Sequence, residues 1–463
     1  MGSSYKKRLL LAILATAACG GGGSAPAPDA APGGASSGGQ AVEAGASGTA
    51  PGPSGGAGAA PAHAGGSAGA TASAGGSGEA SGTGGAAPTA GGSVGGSSGS
   101  IVSSGGSSAV DYPARSAVLE VLARVNQQFA VKWPDPSMPL PGNRPSNIWT
   151  RGVYYEGLLA LYRLTQTPAY RDYALQWANA NSWALRSSVT NADNQCAGQS
   201  YIELYELDGK AQSSQIAAVL ASADGMLGSA SSADWTWVDA IQMSMPVFAK
   251  LGVLTGDAKY FDKMDALYAH TRDDEGGGLY DTANHLWWRD AKWKPDRQTS
   301  PSGKNVYWSR GNGWAFAALA RVLDVLPDAE PHQVAYRTDF VDMARALVAV
   351  QRDDGFFNPN LADPQHFGGP ELSGTALFTF GMAWGIRHGL LDEATYGPAV
   401  SHAWQGMVSK SVHDDGFLGF VQSSGDDPSD GQPLSFDAVP DFEDFGVGCF
   451  LLAGSELAQL SPR

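Results

Sequence analysis

The sequence predicts an all-α toroid, a ring of paired helices, preceded by a disordered linker. Beyond residue 110, helical patterns follow one another and are separated by turns rich in Gly and Asp. A short acidic and aromatic motif recurs after three of these patterns, as RDDEGGGLYD, QRDDGFFNP and HDDGFLGF. Repeated helix pairs of this kind bury their apolar faces against their neighbours and can close into a ring. Strand-like pieces such as GFLGFVQ are too short for a sheet domain.

The N-terminal residues 1–18 have the features of a secretory signal. Lys6, Lys7 and Arg8 precede the apolar run LLLAILATAA, which is too short to span a bilayer as a helix. Small residues stand before Cys19, an arrangement that suggests a lipoprotein signal in which Cys19 becomes the lipidated N-terminus. The alternative is ordinary cleavage and full secretion. We therefore expect an exported protein that is anchored to a membrane by lipid alone, in the periplasm or at the cell surface.

Residues 19–110 form a low-complexity segment of Gly, Ala, Ser and Pro that contains no Lys or Arg. Such a composition cannot bury enough apolar surface to offset the entropy of ordering, so we expect a disordered tether. The tether would separate a folded catalytic domain, residues 111–463, from the membrane surface.

The composition excludes some classes of partner. The chain of 463 residues has a formal net charge of −16, so nucleic acid is not an expected partner. All 13 Trp residues lie beyond the tether, which indicates a large core or an aromatic-lined cleft. The three cysteines are Cys19, Cys196 and Cys449, and no CxxC or HExxH motif occurs. We therefore expect neither a disulfide framework nor a metal site.

Apolar periodicity predicts the positions of the helices. TPAYRDYALQWA carries a start signal, with Thr167 as N-cap and Pro168 at the first helical position. The predicted helices are 113–131, 149–165, 168–183, 195–208, 212–225, 235–254, 258–272, 311–326, 335–352, 372–389, 394–410 and 444–459.

The segment DWTWVDAIQMSMPVFAKLG offers a first candidate site. If it is helical from residue 235, one face is ordinary apolar core, whereas a second face brings Trp235, Asp239 and Gln242 together. Apolar surroundings raise the pKa of a carboxyl towards the range that suits general acid catalysis. The alternative is a buried Asp that hydrogen-bonds the backbone of a neighbouring helix.

Further candidates have more ordinary explanations beside the functional ones. Asp193 stands at the entrance to a helix, where an Asp is most often a cap. His285 lies in an aromatic stretch, where packing is the commoner role. Glu371 leads a helix rich in small residues, and Ser373 and Thr375 could cap that helix or contact a ligand.

The stretch VYWSRGNGWAFAALARVL combines features that suit an acidic sugar. Arg310 offers a planar fork for a carboxylate, and Trp308 and Trp314 can stack on a sugar ring. Gly311 and Gly313 permit close approach of the backbone, and a helix N-terminus favours an anion. The alternative is an Arg stacked on a Trp in the core.

Four long motifs together resemble glycoside hydrolase family 105, the unsaturated rhamnogalacturonyl hydrolases, which are relatives of family 88. They are WSRGNGWAFAALARVL, WTWVDAIQMSMPVFAKLG, FGGPELSGTALFTFGMAWGIRHGLL and PDFEDFGVGCFLLAGSEL. The resemblance covers residues 112–460. It implies an (α/α)6 barrel that removes a terminal 4,5-unsaturated uronic acid from oligosaccharides left by polysaccharide lyases. The implied reaction hydrates the C4=C5 enol-ether bond and requires no metal or organic cofactor.

The resemblance also implies roles for particular residues. Asp239 matches the acid/base, and Asp193 matches a second acidic residue near the water and the ring hydroxyls. Arg310 matches a substrate contact, with Trp308 and Trp314 as walls of the pocket.

One departure from the family pattern concerns a histidine. Members carry a His just after a Gly-Leu-Tyr turn, whereas this chain has GLYDTANHLWWRD, with His285 displaced along the loop. This leaves open a role for His285 and the identity of the leaving sugar, for which rhamnogalacturonan, ulvan and arabinogalactan fragments are all conceivable. The oligomeric state, monomer or homodimer, is open as well.

Two alternatives to this function remain. The first is an inverting glycosidase that uses Asp193 and Asp239 on saturated uronides. The second is a surface lipoprotein that binds glycans without turnover.

Overall fold

A computed structural model describes residues 110–188 and 190–462 of the chain. The predicted signal, the lipidated Cys19 and nearly all of the predicted tether lie outside these residues. In the described part, Cys196 and Cys449 are buried free thiols.

In the described residues, twelve long α-helices and one short one carry the fold, so the prediction of an all-α domain is confirmed. Two strands of two residues each, β1 Tyr280–Asp281 and β2 Leu286–Trp287, form an antiparallel hairpin between the eighth and ninth helices. The helices are α1 Arg115–Lys132, α2 Trp149–Thr165, α3 Pro168–Ala180, α4 Ala192–Gln195, α5 Ala197–Leu207, α6 Ala217–Leu227, α7 Asp239–Thr255, α8 Lys259–Ala269, α9 Ser309–Leu323, α10 Gln333–Val348, α11 Leu372–Arg387, α12 Glu393–Lys410 and α13 Asp444–Leu460.

Six inner helices form a closed ring. The order around the ring is α2, α5, α7, α9, α11 and α13, and α13 packs against α2. Each inner helix is preceded in the chain by an outer helix, respectively α1, α3, α6, α8, α10 and α12. Helices α7, α9 and α11 are buried over almost their whole length because they touch ring neighbours and outer helices. The architecture is the predicted (α/α)6 barrel.

The alternation of outer and inner helices makes the inner helices run in the same direction. Their N-terminal ends therefore meet at one mouth of the barrel. The first residues of α2, α7, α9, α11 and α13 are Trp149, Asp239, Ser309, Leu372 and Asp444. Because each helix carries partial positive charge at its N-terminus, this mouth favours anions.

Glycines close the ring between its first and last inner helices. A Cβ on Gly157 of α2 would lie 2.3 Å from the carbonyl oxygen of Gly448 in α13, and a Cβ on Gly448 would lie 2.3 Å from that of Val153. The two backbones are therefore in direct contact. Nearby, the Arg115 N–H donates to the Pro462 carbonyl at 3.0 Å, so the two ends of the described region are adjacent.

The helix predicted from residue 235 begins instead at Asp239. Trp237 pairs with Asp290 in an isolated antiparallel bridge, and the Val238 N–H donates to the Arg289 carbonyl at 2.8 Å. This long-range pairing keeps the preceding residues out of the helix. The inference that Trp235 shares a helical face with Asp239 is therefore wrong.

The start of α3 agrees with its prediction in part. Pro168 is the first helical residue, but the Thr167 side chain makes no capping hydrogen bond. Within residues 110–188 and 190–462, no helix is both long enough and apolar enough to cross a membrane.

Candidate active site

The structure brings the two predicted acidic residues together at the N-terminal mouth of the barrel. Asp239 is the first residue of α7, and Asp193 lies in α4, which packs against α7. Burial and the nearby charge of Asp239 together raise the pKa of Asp193 to about 6, while the charge of Arg289 opposes the shift. Two carboxyl groups that share a buried site in this way do not ionise independently.

Asp239 is paired with an arginine that the sequence analysis did not identify. The Asp239 side chain is buried, and its Oδ2 lies 3.0 Å from Nε of Arg289. Burial raises the pKa of Asp239, while the charges of Arg289 and Arg310 oppose the shift. Arg289 also places Nη1 2.9 Å from Oδ2 of Asp290.

The position of Arg289 comes from the backbone pairing of two distant segments. The bridge between Trp237 and Asp290 sets Arg289 beside the start of α7. In the sequence, Arg289 and Asp290 form a charged pair directly after the apolar LWW. The carboxylate that Arg289 binds, Asp239, lies 50 residues away along the chain. Local pattern could not show that pairing.

An open cavity of about 400 Å³ adjoins Asp193. Trp149, at the first position of α2, contributes an indole that is partly exposed there. The lining residues are Arg144, Ile148, Trp149, Arg186, Asn191, Asp193 and Asn194.

Trp308 and Arg310 are buried beside this mouth. The Trp308 Nε1–H donates to the Gln422 side chain at 2.9 Å, and Arg310 donates to the carbonyls of Gln422 and Ser423 at 2.9 and 2.7 Å. The Arg310 guanidinium stacks on Trp308 at 4.5 Å and on Phe445 at 4.9 Å. This is the arrangement of the alternative, an Arg stacked on a core Trp. The guanidinium therefore holds the 422–423 loop, and a direct contact with substrate stays a prediction.

The glycines of the same motif serve helix packing. A Cβ on Gly311 would lie 3.1 Å from Val238, and one on Gly313 would lie 2.9 Å from Leu377 of α11. Asn312 accepts the Trp287 N–H at 2.8 Å and donates to the Trp287 carbonyl at 3.0 Å. The Arg-Gly-Asn-Gly tetrapeptide therefore hydrogen-bonds β2 and packs against α11 and the start of α7. This packing explains the two glycines and corrects the expectation that a ligand lies against them.

The predicted tryptophan contacts lie in the core. Trp314 is fully buried and meets the edge of Trp149 at 6.2 Å between ring centroids, so Trp149 is the indole that lines the cavity. Trp235 is also fully buried and packs on Phe248 at 6.2 Å. Neither indole reaches the cavity.

His285 makes its contacts with the β1–β2 hairpin and with α10. It lies in the turn of the β1–β2 hairpin at φ 55°, with Nδ1 3.4 Å from the Tyr280 hydroxyl and 3.7 Å from Oδ2 of Asp342 in α10. A role for His285 at the site stays open, whereas Arg289 is the residue that pairs with Asp239.

Ser373 and Thr375 take part in capping α11. The Glu371 carboxylate accepts the N–H groups of Ser373 and Gly374 at 2.8 and 2.7 Å. The hydroxyls of Ser373 and Thr375 donate back to Glu371, and the Thr375 hydroxyl accepts the Phe357 N–H at 3.0 Å. Capping explains these residues, and a contact with a ligand stays a prediction.

Among the described residues, one group of carboxylates has the spacing of a cation site: Asp426, Asp427 and Asp430. The Asp430 carboxylate already accepts the N–H groups of Asp426 and Asp427 at 2.7 and 2.9 Å. Lys292 lies 3.3 Å from Asp426. These bonds give the cluster a structural role in its loop.

A larger cavity, of about 670 Å³, lies at the opposite end of the barrel, where the inner helices end. Its carboxylates are paired with cations: Glu156 with Arg321 at 3.0 Å and Glu203 with Lys250 at 3.4 Å. This cavity is the larger of the two, and burial raises the pKa of Glu156 although the charges of Arg321 and Lys250 oppose the shift. The N-terminal mouth is the candidate active site, because two carboxyls with raised pKa values lie close together there and the helix N-termini favour an anion.

The (α/α)6 barrel and its two carboxyls at one mouth suit a glycosidase. The sequence model of Glycosyl Hydrolase Family 88 matches residues 121–461. The chain belongs to this family, which is the relative of family 105 named by the sequence resemblance.

Individual proteins agree with this assignment. The chain is 33% identical over 348 residues to the unsaturated 3S-rhamnoglycuronyl hydrolase of Formosa agariphila, covering 72% of this chain and 89% of that protein. A solved family 88 hydrolase from Bacteroides vulgatus is 33% identical with a TM-score of 0.69, over 75% of this chain and 99% of that one. A second solved structure, of a protein called a polysaccharide lyase, is 30% identical with a TM-score of 0.68, over 75% and 98%. A family 105 hydrolase at 19% identity shares the fold.

Proposed function

We propose that this glycosidase removes a terminal 4,5-unsaturated uronic acid from oligosaccharides produced by polysaccharide lyases. The observation that carries the proposal is the meeting of Asp193 and Asp239 at a buried mouth where both carboxyls have raised pKa values. The name of the Formosa agariphila relative supports the same substrate class and favours a rhamnose as the leaving sugar.

The proposed reaction uses Asp239 first as an acid and then as a base. Protonated Asp239 delivers its proton to C4, and the positive charge that develops at C5 is shared with the ring oxygen. The Asp239 carboxylate then takes a proton from the water that adds at C5, while Asp193 holds that water and the ring hydroxyls. The resulting hemiketal opens and the remaining sugar leaves from C1. Burial favours the protonated form of Asp239 that the first step requires.

The mouth also suits the negative charge of a uronate. The N-terminal ends of the inner helices face this mouth. Arg289, which is paired with Asp239 and Asp290, adds a positive charge there. Water is the one co-reactant in this scheme, so no metal or organic cofactor is needed.

We propose further that the enzyme is an exported lipoprotein. Residues 1–18 would be removed, Cys19 would be lipidated, and the Gly- and Ala-rich tether would separate the barrel from the membrane. The order of charged, apolar and small residues before Cys19 supports this. We expect Cys19→Ser to move the protein from the membrane fraction to the soluble fraction, and an unchanged distribution would contradict the anchor.

The test of function follows the ultraviolet absorbance of an unsaturated uronyl disaccharide, whose C4=C5 bond is conjugated with its carboxylate. We expect absorbance to fall with the wild type and turnover to drop by about 10²–10⁴ in Asp239→Asn, because a general acid contributes that much. Asp262→Asn, a change at an exposed carboxylate of α8, is the control and should keep full activity.

Each alternative has a different signature. Release of a saturated uronide without change in absorbance would indicate an inverting glycosidase. A rise in absorbance on intact polysaccharide would indicate a lyase. Binding that survives Asp239→Asn with no turnover in the wild type would indicate a glycan-binding protein. Any of these three results would replace the proposed reaction.

A further inference from the structure

Two arginines line the cavity beside Asp193 and make no ion pair with a described residue. They are Arg144 and Arg186. The Arg144 guanidinium stacks on the Phe442 ring at 5.0 Å from its centroid. Its backbone is held in a tight turn, because Arg144 and Leu140 exchange N–H···O bonds of 3.2 and 2.8 Å. The position of this charge is therefore set by the fold.

The other cations at the mouth are already engaged. Arg310 donates to two backbone carbonyls, and Arg289 is paired with Asp239 and Asp290. Arg144 and Arg186 thus remain as the donors that an incoming anion can use.

Arg144 is more exposed than the two carboxyls, and Arg186 is as exposed as Asp193. The cation that lowers the pKa of Asp193 is Arg289. Asp239 is buried and Asp193 is half-buried, whereas Arg144 is exposed. A ring that reacts between Asp193 and Asp239 therefore leaves the next sugar of the chain at the cavity rim, against these arginines.

We propose that Arg144 and Arg186 form an anion subsite that receives a sulfate ester or a carboxylate on the sugar of the leaving side. A guanidinium presents a planar fork of donors that matches either group, and the partly exposed Trp149 in the same cavity lining supplies an apolar wall. The assignment of the leaving side rests on the proposed function, which places the unsaturated ring at Asp193 and Asp239.

The subsite determines selectivity among substrates. A charge-assisted hydrogen bond of this kind is worth roughly tenfold or more in affinity. The wild type should therefore favour a charged leaving sugar over a neutral one, and raising the salt concentration should reduce that preference.

The experiment uses three unsaturated uronyl disaccharides, in which the leaving sugar carries a sulfate ester, a carboxylate or no charge. Wild type is compared with Arg144→Gln, Arg186→Gln and the double variant. Arg124→Gln, which removes one positive charge from an exposed position of α1, is the control. We expect the double variant to raise KM about tenfold or more for a charged substrate and to leave the neutral one unchanged, while the control behaves as wild type. The charged disaccharide whose KM rises more in the double variant, the sulfated or the carboxylated one, identifies the anion.

Binding is measured separately, by calorimetry on the Asp239→Asn protein with and without the two arginine changes. This readout does not require turnover, so it distinguishes failure of the subsite from failure of the proposed function. Preference for a charged disaccharide that disappears with the arginines supports the subsite. An equal loss on all three ligands, a preference that survives the double change, or no preference in the Asp239→Asn parent would overturn it.

Discussion

At the residue scale, the active site depends on a difference between two neighbouring carboxyls. Asp239 has a guanidinium 3.0 Å away, whereas Asp193 is influenced chiefly by burial and by the charge of Asp239. Titratable groups whose environments differ in this way can take different parts in proton transfer. Arg289 is the residue that creates the difference.

Changing Arg289 should shift the pH dependence of catalysis. Removal of the positive charge in Arg289→Gln raises the pKa of Asp239, so the alkaline limb of the kcat/KM profile should move to higher pH. The rate should fall about tenfold or more, because the carboxyl loses its alignment. Arg289→Lys should restore part of both effects. A pH profile measured with all three proteins checks this, and an unmoved limb in Arg289→Gln would show that Arg289 does not act on the acid.

Replacing Asp193 should stabilise the protein at alkaline pH. The pKa of this carboxyl is about 6 in the folded state against an ordinary value of 3.8, so the proton is bound more tightly when the chain is folded. Ionisation therefore costs stability progressively from about pH 4 to 6, up to roughly 3 kcal/mol. We expect Asp193→Asn to unfold at a higher temperature than wild type at pH 8 and at a similar temperature at pH 4. If wild type and Asp193→Asn had the same unfolding temperature at pH 8 as well as at pH 4, burial would not raise the pKa of Asp193.

At the element scale, the recurring acidic motif is a turn that ends an outer helix and leads to the next inner one. Gly355 and Gly416 adopt φ 85° and 95° in two of these turns. The Arg352 N–H donates to Phe356 and the His413 N–H to Phe417, both at 2.9 Å, so the two turns are built alike. The sequence motif therefore marks the geometry of the repeat, and its aspartates serve the turn.

A glycine in such a turn should tolerate no side chain. Gly355 combines a positive φ with a Cβ position only 2.2 Å from the His402 carbonyl oxygen. Gly303 has a similar φ of 77° but open space around it. We expect Gly303→Ala to cost about 1–2 kcal/mol through backbone conformation alone, and Gly355→Ala to cost clearly more. Denaturant unfolding of the two variants measures the difference, and equal losses would argue against the steric account.

Much of this element-level structure follows from local pattern. Apolar periodicity and capping predicted all twelve long helices, because those signals act within a few residues. The start of α7 was misplaced because the bridge from Trp237 to Asp290 overrides local helical preference. Arg289 was missed for the same reason, since a contact between distant segments decides which side chain pairs with Asp239.

At the scale of the whole molecule, glycines decide how closely the ring can close. We expect Gly448→Ala to destabilise the barrel by several kcal/mol, since its Cβ would overlap the Val153 carbonyl. Gly225→Ala, in outer helix α6 with nothing nearby, should instead stabilise by about 0.5–1 kcal/mol. Thermal unfolding of the pair checks both signs. A mild effect at Gly448 would indicate that α2 and α13 can separate without loss of the fold.

The contact between α2 and α13 also determines the order in which the chain can mature. Arg151 and Asp444 form a buried pair across 293 positions of sequence. Contacts of such high separation slow folding, because the intervening chain must be ordered before they form. Because α13 is the last helix in the chain, five of the six inner helices are synthesised before α13 can complete the ring. Until then the side of α2 that packs on α13 is uncovered, and exposed apolar surface of this kind makes a partly synthesised chain prone to aggregation.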